Sequence, residues 1–143
     1  MTDKPDPPFR ILPRVSPENE HFWQGGAQGE LRFLRCGPCR EWIHPPAPLC
    51  PACHSRELAP EVVSGEATVL TYTVNHQPWI PGFDPPYVVA IVGLPEQEGL
   101  RLTTNIVNCP IDSAEIGMPV QVVFESAGDG VYLPLFEPRG VVE

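Results

Sequence analysis

The stretch CGPCREWIHPPAPLCPAC, residues 36–53, decides the fold of this chain because it holds two Cys-x-x-Cys pairs separated by ten residues. Each pair can form a tight turn that points two sulfurs at one place, and glycine and proline suit such turns. Two turns of this kind supply four thiolates in a tetrahedron, the usual coordination of structural zinc. The spacing therefore predicts a metal site made of Cys36, Cys39, Cys50 and Cys53. Zinc is the expected ion, with iron as a minor alternative, since four thiolates suit both metals.

Disulfides, a redox pair and a histidine ligand are the alternative interpretations of these cysteines. The N-terminus has no apolar leader and no run reaches the roughly 18 apolar residues of a membrane span, so a cytoplasmic location without membrane association is expected. Disulfides are rare in that reducing compartment. A redox site needs one reactive pair at a helix start, not two matched pairs. His54 is a less favoured substitute for one thiolate. Four protein ligands leave no open position, so the predicted site is structural.

Composition favours short strands and excludes some partners. Twenty of the 143 residues are proline and 12 are glycine, which leaves little room for long helices. The formal net charge is −9, and this argues against partners bound through phosphate neutralisation, nucleic acids and anionic membranes included.

Three segments follow from the local patterns. An N-terminal arm and helix are expected over residues 1–29, with a helix start at Ser16-Pro17-Glu18. The zinc ribbon is expected over residues 30–63. Residues 64–143 hold five β-rich runs separated by turn signals, which fits a small Greek-key barrel, and an OB fold is expected there. The predicted barrel strands are 67–74, 87–94, 100–107, 120–124 and 131–136. The predicted fold class is mainly β.

The ordered runs resemble a known family. They extend from Phe22-Trp23 in FWQGGAQGELRFLRC, through the two cysteine pairs, to IGMPVQVVF at residues 116–124. Together they look like the acyl-CoA-associated family made of a rubredoxin-like zinc ribbon followed by an OB fold, catalogued as domain of unknown function number thirty-five. The likeness covers roughly residues 16–138, and all four metal positions are filled by cysteine.

The resemblance implies a non-catalytic accessory subunit. Members of this family associate with thiolase-like or lipid-transfer-protein-like enzymes, including steroid side-chain aldolases and acyltransferases, and with hot-dog acyl-CoA hydratases. The domain is thought to scaffold these enzymes and to help bind acyl-CoA.

The residues themselves show no catalytic set. The four histidines are scattered over different predicted elements, and Cys109 is the only cysteine outside the ribbon. A thiol nucleophile needs a base and an activating environment, which nothing in the sequence demands. A stand-alone thiol enzyme is thus a weak alternative. An OB-fold nucleic-acid-binding protein is the other alternative, weakened because only Arg101 and Arg139 are basic after residue 60.

Two apolar groups are candidate contacts for a partner or an acyl-CoA. Trp79, Ile80 and Phe83 lie in a proline-rich connection between two predicted barrel strands, and a rigid apolar loop suits a partner groove. The same loop could instead fold back over its own barrel. Phe22 and Trp23 pose the same question on the first helix, where core packing is the favoured interpretation.

Overall fold

The N-terminal helix begins later than the sequence predicts. The computed structural model describes residues 11–79 and 82–139, and its helix α1 is Glu20–Gln24, followed by a 3-10 turn at Gly25–Gln28. Ser16 starts a turn instead, because its N–H donates to Asn19 Oδ1 at 2.8 Å while its carbonyl accepts the Glu20 N–H at 2.9 Å. Residues 17–19 thus form a turn between Ser16 and α1.

The ribbon is a three-stranded antiparallel sheet. Its strands are β1 (Leu31–Cys36), β2 (Trp42–Ile43) and β3 (Leu58–Val63), in the order β2-β1-β3. Strand β1 is central and ends on the first metal-ligand candidate, Cys36.

The second part of the chain is a closed five-stranded barrel in the order β4-β5-β6-β8-β7. This architecture confirms the predicted fold class. All neighbours are antiparallel except β6 and β8, which meet in parallel at Ile106 and Phe136. A 3-10 turn at Ile111–Ser113 precedes β7. The strands are β4 (Glu66–Asn75), β5 (Tyr87–Gly93), β6 (Arg101–Ile106), β7 (Pro119–Gly128) and β8 (Val131–Pro138).

One apolar core joins the barrel to the inner face of the ribbon. Alternate residues of β5 and β6 point inward, as the period of two in a strand requires. The same core contains Phe33 and Trp42 of the ribbon and Phe22 of α1, all buried. The ribbon is therefore not a freely tethered appendage, because its sheet packs against the barrel.

The 3-10 turn that follows α1 packs on strands β7 and β8. A Cβ added at Gly26 would lie 2.7 Å from Phe124 Cδ1 and would overlap the Tyr132 side chain, so only glycine permits this approach. Within the described residues, no helix has the length and hydrophobicity that crossing a membrane requires.

Candidate metal centre and ligand cleft

The four paired cysteines lie around one point. Their Sγ atoms are all within 4.8 Å of one another. Cys36 and Cys53 are 3.5 Å apart and Cys39 and Cys50 are 3.6 Å apart, sulfur to sulfur. A tetrahedral ion with bonds of about 2.3 Å needs sulfurs about 3.8 Å apart, so the thiol cluster fits such an ion without rearrangement of the backbone.

Two matching turns position these sulfurs. The Arg40 N–H donates to the Cys36 carbonyl at 3.0 Å, and the His54 N–H donates to the Cys50 carbonyl at 2.8 Å. Arg40 and His54 each follow the second cysteine of a pair, and their φ angles of 68° and 65° are left-handed. The two Cys-x-x-Cys segments thus fold alike. His54 serves as the left-handed residue of its turn and does not belong to the cluster of ligand atoms.

The electrostatics of the four thiols favour a cation. Burial opposes ionisation of Cys50, yet the N–H groups of Cys53 and Ala52, together with the thiols of Cys39 and Cys36, lower its pKa to about 7. At Cys39 the Glu41 N–H favours the thiolate, but burial and contacts with the other three thiols raise the pKa to about 12. Sulfurs this close cannot all carry charge alone, because the thiolates repel. A divalent ion removes that repulsion, so the site is capable of binding a metal ion.

A cleft of about 550 Å³ lies between the ribbon and the barrel. One wall consists of the first helix and the segment that follows β2, and the other consists of β6 and the middle of β8. The helix and ribbon contribute Asn19, Phe22, Trp23, His44, Pro45 and Pro46, and the barrel contributes Arg101, Leu102, Thr103, Thr104, Asn105, Leu133, Pro134 and Leu135. The volume and the mainly apolar lining with a few polar groups are typical of small-molecule sites.

His44 is a neutral, aromatic part of this cleft. Its ring stacks on Phe33 with centroids 4.4 Å apart and lies 4.8 Å from the Phe22 ring. Burial, assisted by the nearby His21, lowers the pKa of His44 to about 4. The imidazole therefore contributes packing surface at neutral pH and carries no charge into the cleft.

The predicted contact residues separate into two groups. Phe22 is buried, Trp23 is half-buried, and both line the cleft. Trp79 is 70% exposed on the β4–β5 connection, and its indole N–H donates to Asn75 Oδ1 at 2.7 Å. Phe83 packs on Tyr87 at 4.4 Å between ring centroids. Ile80 lies outside the described residues.

Sequence reasoning assigned no role to several residues of the site. His44, which follows β2, and Thr103 and Asn105 of β6 line the cleft although they are far apart in the chain. The run His44-Pro45-Pro46 was a possible signal, since two prolines after a strand end give a rigid wall. Cys109 is partly buried and packs against the barrel core, away from the metal-ligand cluster.

Comparison with known proteins assigns the chain to a family. Residues 23–59 match the ChsH2 rubredoxin-like zinc ribbon domain, and residues 61–125 match the ChsH2 C-terminal OB-fold domain. A DUF35 domain-containing scaffold protein of Methanothermobacter thermautotrophicus is 39% identical over 76% of this chain and 86% of that protein. The chain belongs to the ChsH2/DUF35 family.

Two further relatives of this DUF35 chain have more specific descriptions. A probable enoyl-CoA hydratase alpha subunit of Thermomonospora curvata is 37% identical over 96% of this chain, which spans only 43% of that protein. A solved structure of Ltp2-ChsH2(DUF35) aldolase contains a chain 38% identical to this one, with a TM-score of 0.80. That match covers 89% of this chain and 98% of the other.

Proposed function

We propose that this DUF35 chain is a non-catalytic, zinc-binding accessory subunit that scaffolds a thiolase-like aldolase or an enoyl-CoA hydratase and helps to bind acyl-CoA. The observation that carries the proposal is the likeness to the DUF35 chain of the Ltp2-ChsH2 aldolase over 98% of that chain. The hydratase alternative rests on the relative described as a hydratase alpha subunit. A thiolase-like or lipid-transfer-protein-like enzyme is therefore the first partner to test, and a hot-dog hydratase is the second.

Zinc is the proposed ion because the donor set consists of four thiolates with no open position. Cys36, Cys39, Cys50 and Cys53 would hold it. The ion would stabilise the ribbon and would do no chemistry on a substrate, because all four positions are taken by protein ligands.

The proposed acyl-CoA contact is the cleft between ribbon and barrel. Its apolar walls, Phe22 and Trp23 among them, suit a hydrocarbon chain. Arg101 lies at its edge, is exposed, and has no ion-pair partner among the described residues. A guanidinium at the end of an apolar cleft suits a ligand with an anionic head, such as an acyl-CoA.

The proposed partner contact is the β4–β5 connection. Trp79 is one of the most exposed large apolar side chains of the described residues, and Leu70 and Tyr72 of the preceding strand are exposed as well. Exposed aromatic side chains are frequent anchors in protein interfaces. This surface is separate from the cleft, so one chain could bind an enzyme and an acyl-CoA together.

Co-purification tests the scaffold function. The chain is co-expressed with a thiolase-like aldolase from its own host, and a stable complex in size-exclusion chromatography is expected. Trp79→Ala should weaken the complex by at least about tenfold if Trp79 anchors it, whereas Tyr132→Phe on another strand should not. Recovery of only free chain, with either enzyme class as partner, would refute the scaffold function.

Titration with octanoyl-CoA tests the ligand function. We expect binding to the chain or its complex, weakened about tenfold by Arg101→Ala, because a hydrogen bond to a charged group is lost. Arg139→Ala is the matched control, since Arg139 already pairs with Glu66 at 3.0 Å and lies outside this cleft. Equal affinity for all three proteins would exclude the cleft as the CoA contact.

Nucleic-acid binding gains no support from the described residues. Arg32, Arg35, Arg40 and Arg139 are each paired with a glutamate. A single-strand groove needs unpaired basic residues along its length. A salt-dependent gel shift at physiological ionic strength would be required to restore this alternative.

A further inference from the structure

The side chain of Gln97, in the barrel, forms hydrogen bonds with the main chain of the ribbon. Gln97 lies in the connection between β5 and β6. Its Oε1 accepts the Trp42 N–H at 2.9 Å, and its Nε2 donates to the Trp42 carbonyl at 3.0 Å. Nε2 also lies 3.4 Å from Glu41 Oε2. The side-chain amide thus takes both main-chain positions that a neighbouring strand would occupy at the outer edge of β2.

Along the chain, strand β2 lies between the Cys36–Cys39 turn and the residues that line the cleft. It has only two residues, Trp42 and Ile43, and it begins three residues after Cys39. On its metal side, the Cys36 N–H donates to the Glu41 carbonyl at 2.8 Å. On its other side the chain continues directly into His44 and Pro45, which line the cleft. A shift of the Cys36–Cys39 turn would therefore move one wall of the cleft.

Gln97 is equally well connected to the opposite wall. The Leu100 N–H donates to the Gln97 carbonyl at 3.1 Å, and the Leu94 N–H donates to the Leu100 carbonyl at 2.9 Å. Strand β6 begins at the next residue, Arg101, and its residues through Asn105 line the cleft. The short β5–β6 connection thus joins β2 of the ribbon to the first cleft-lining residue of the barrel.

Other contacts between the ribbon and the barrel do not involve the Gln97 side chain. Leu31 and Phe33 of β1 and Val63 of β3 are buried in the common core. They hold the ribbon on the barrel by apolar contact, which is non-directional, and the Ser64 N–H, just after β3, donates to Glu96 Oε2 at 2.7 Å. Loss of Gln97 should therefore leave both parts folded while releasing β2.

We infer that Gln97 is the positioning residue through which metal occupancy of the ribbon controls the shape of the cleft. With the ion bound, the two cysteine turns hold β2, and Gln97 transmits that position to the start of β6. Without it, the Cys36–Cys39 turn loses its constraint and both walls relax together. As a statement about ligand binding, the inference rests on the proposed acyl-CoA function of the cleft.

Amide hydrogen exchange on the full chain tests this coupling without partner or ligand. It compares zinc-loaded and chelator-treated protein for the wild type, Gln97→Ala, the isosteric Gln97→Glu and the control Gln121→Ala. Gln121 donates to Glu137 Oε2 at 2.9 Å on strands remote from β2. In the wild type and the control, chelation should raise exchange both at residues 41–44 and at residues 94–102.

In the Gln97 variants, exchange at residues 41–44 and exchange at residues 94–102 should no longer change together. In the zinc-loaded state, Gln97→Ala should raise exchange at Trp42 about tenfold through the lost hydrogen bonds. Chelation should then affect residues 41–44 but no longer residues 94–102. Gln97→Glu should behave in the same way, because a carboxylate cannot donate to the Trp42 carbonyl and is repelled by Glu41. A wild-type response of the isosteric variant would mean that Gln97 acts by packing alone, against the inference.

Two other outcomes would overturn the inference. One is an unchanged exchange rate at residues 94–102 when wild-type protein loses its metal. The other is a general rise over β5, β7 and β8 in every variant, since coupling would then pass through the shared core. Octanoyl-CoA binding is measured separately, so failure of the acyl-CoA function is distinguished from failure of the coupling.

Discussion

The ribbon and the barrel are stabilised by different forces. Among the described residues, the cluster around the four paired cysteines contains three buried apolar residues, Cys36, Ile43 and Cys50, with Leu34, Ala47 and Leu58 partly buried beside it. The barrel encloses a continuous core of valine, leucine, isoleucine and phenylalanine. A small lobe with so little apolar surface of its own depends on a metal or on a neighbour. The barrel contributes most of the buried residues of the core that the two parts share.

The ribbon sheet is stabilised both at its boundary with the barrel and at its cysteine cluster. One face of the ribbon sheet packs into the barrel core through Phe33 and Trp42, whereas the other end holds the four sulfurs. Substitutions at this boundary should therefore change the stability of both parts. Substitutions far from the boundary should change the stability of only one part. Four substitutions test that division.

Cys50→Ser should have the largest effect. Its sulfur is fully buried among the ligand candidates, and structural zinc contributes on the order of 10 kcal/mol to the folding of such a lobe. We expect loss of stoichiometric metal and of the ribbon signals in an NMR spectrum, with the barrel signals retained. Metal analysis of purified protein checks the first point. Cys109→Ser is the control, and tight metal binding by Cys50→Ser would contradict the assignment.

Phe136→Ala should act on the barrel alone. Phe136 is fully buried where β6 and β8 meet, and removing a buried phenyl ring costs about 3–5 kcal/mol. Urea denaturation of zinc-loaded protein measures this loss. Ile116→Ala should change stability by less than about 0.5 kcal/mol because Ile116 is 69% exposed. Release of the metal by Phe136→Ala in the folded protein would show that the loss of packing spreads through the shared core to the ribbon.

His44 should make the boundary sensitive to acid. Burial lowers its pKa from 6.5 to about 4, so the unfolded chain binds more protons than the folded chain between these values. Stability is therefore complete above about pH 6.5 and falls as the pH decreases towards 4, by about 2–3 kcal/mol from this residue.

His44→Phe should flatten that part of the pH profile, measured as the free energy of unfolding at several pH values with zinc in excess. His76→Phe is the control, because it removes an exposed imidazole that lies outside the cleft. An identical acid profile for wild type and His44→Phe would assign the loss of stability to other groups, the thiols first.

Gly26→Ala should have the smallest effect. The added methyl group would meet Phe124 and Tyr132, and overpacking of this kind costs about 1–3 kcal/mol. We expect α1 to separate from the barrel, with increased quenching of the Trp23 fluorescence by acrylamide. Gln28→Ala, on the exposed side of the same turn, should not change the quenching. Unchanged stability in Gly26→Ala would mean that the contact can relax.

Local patterns predicted much of this molecule, and their errors have local causes. The runs at 87–94 and 100–107 lie within one residue of β5 and β6. Strand β7 continues to Gly128, beyond the predicted end at residue 124. Its polar second half has no strand pattern of its own and is extended because β8 pairs with it. The predicted domain limits remain predictions.

The sequence by itself predicted which four cysteines come together and where the barrel strands follow one another along the chain, because both depend on local patterns. Tertiary structure alone decided the cleft and the contact of Gln97 with Trp42, which are 55 residues apart. The sequence around a glutamine in a turn does not indicate its hydrogen-bond partner. Its two hydrogen bonds exist only because the common apolar core brings the ribbon edge against the β5–β6 connection.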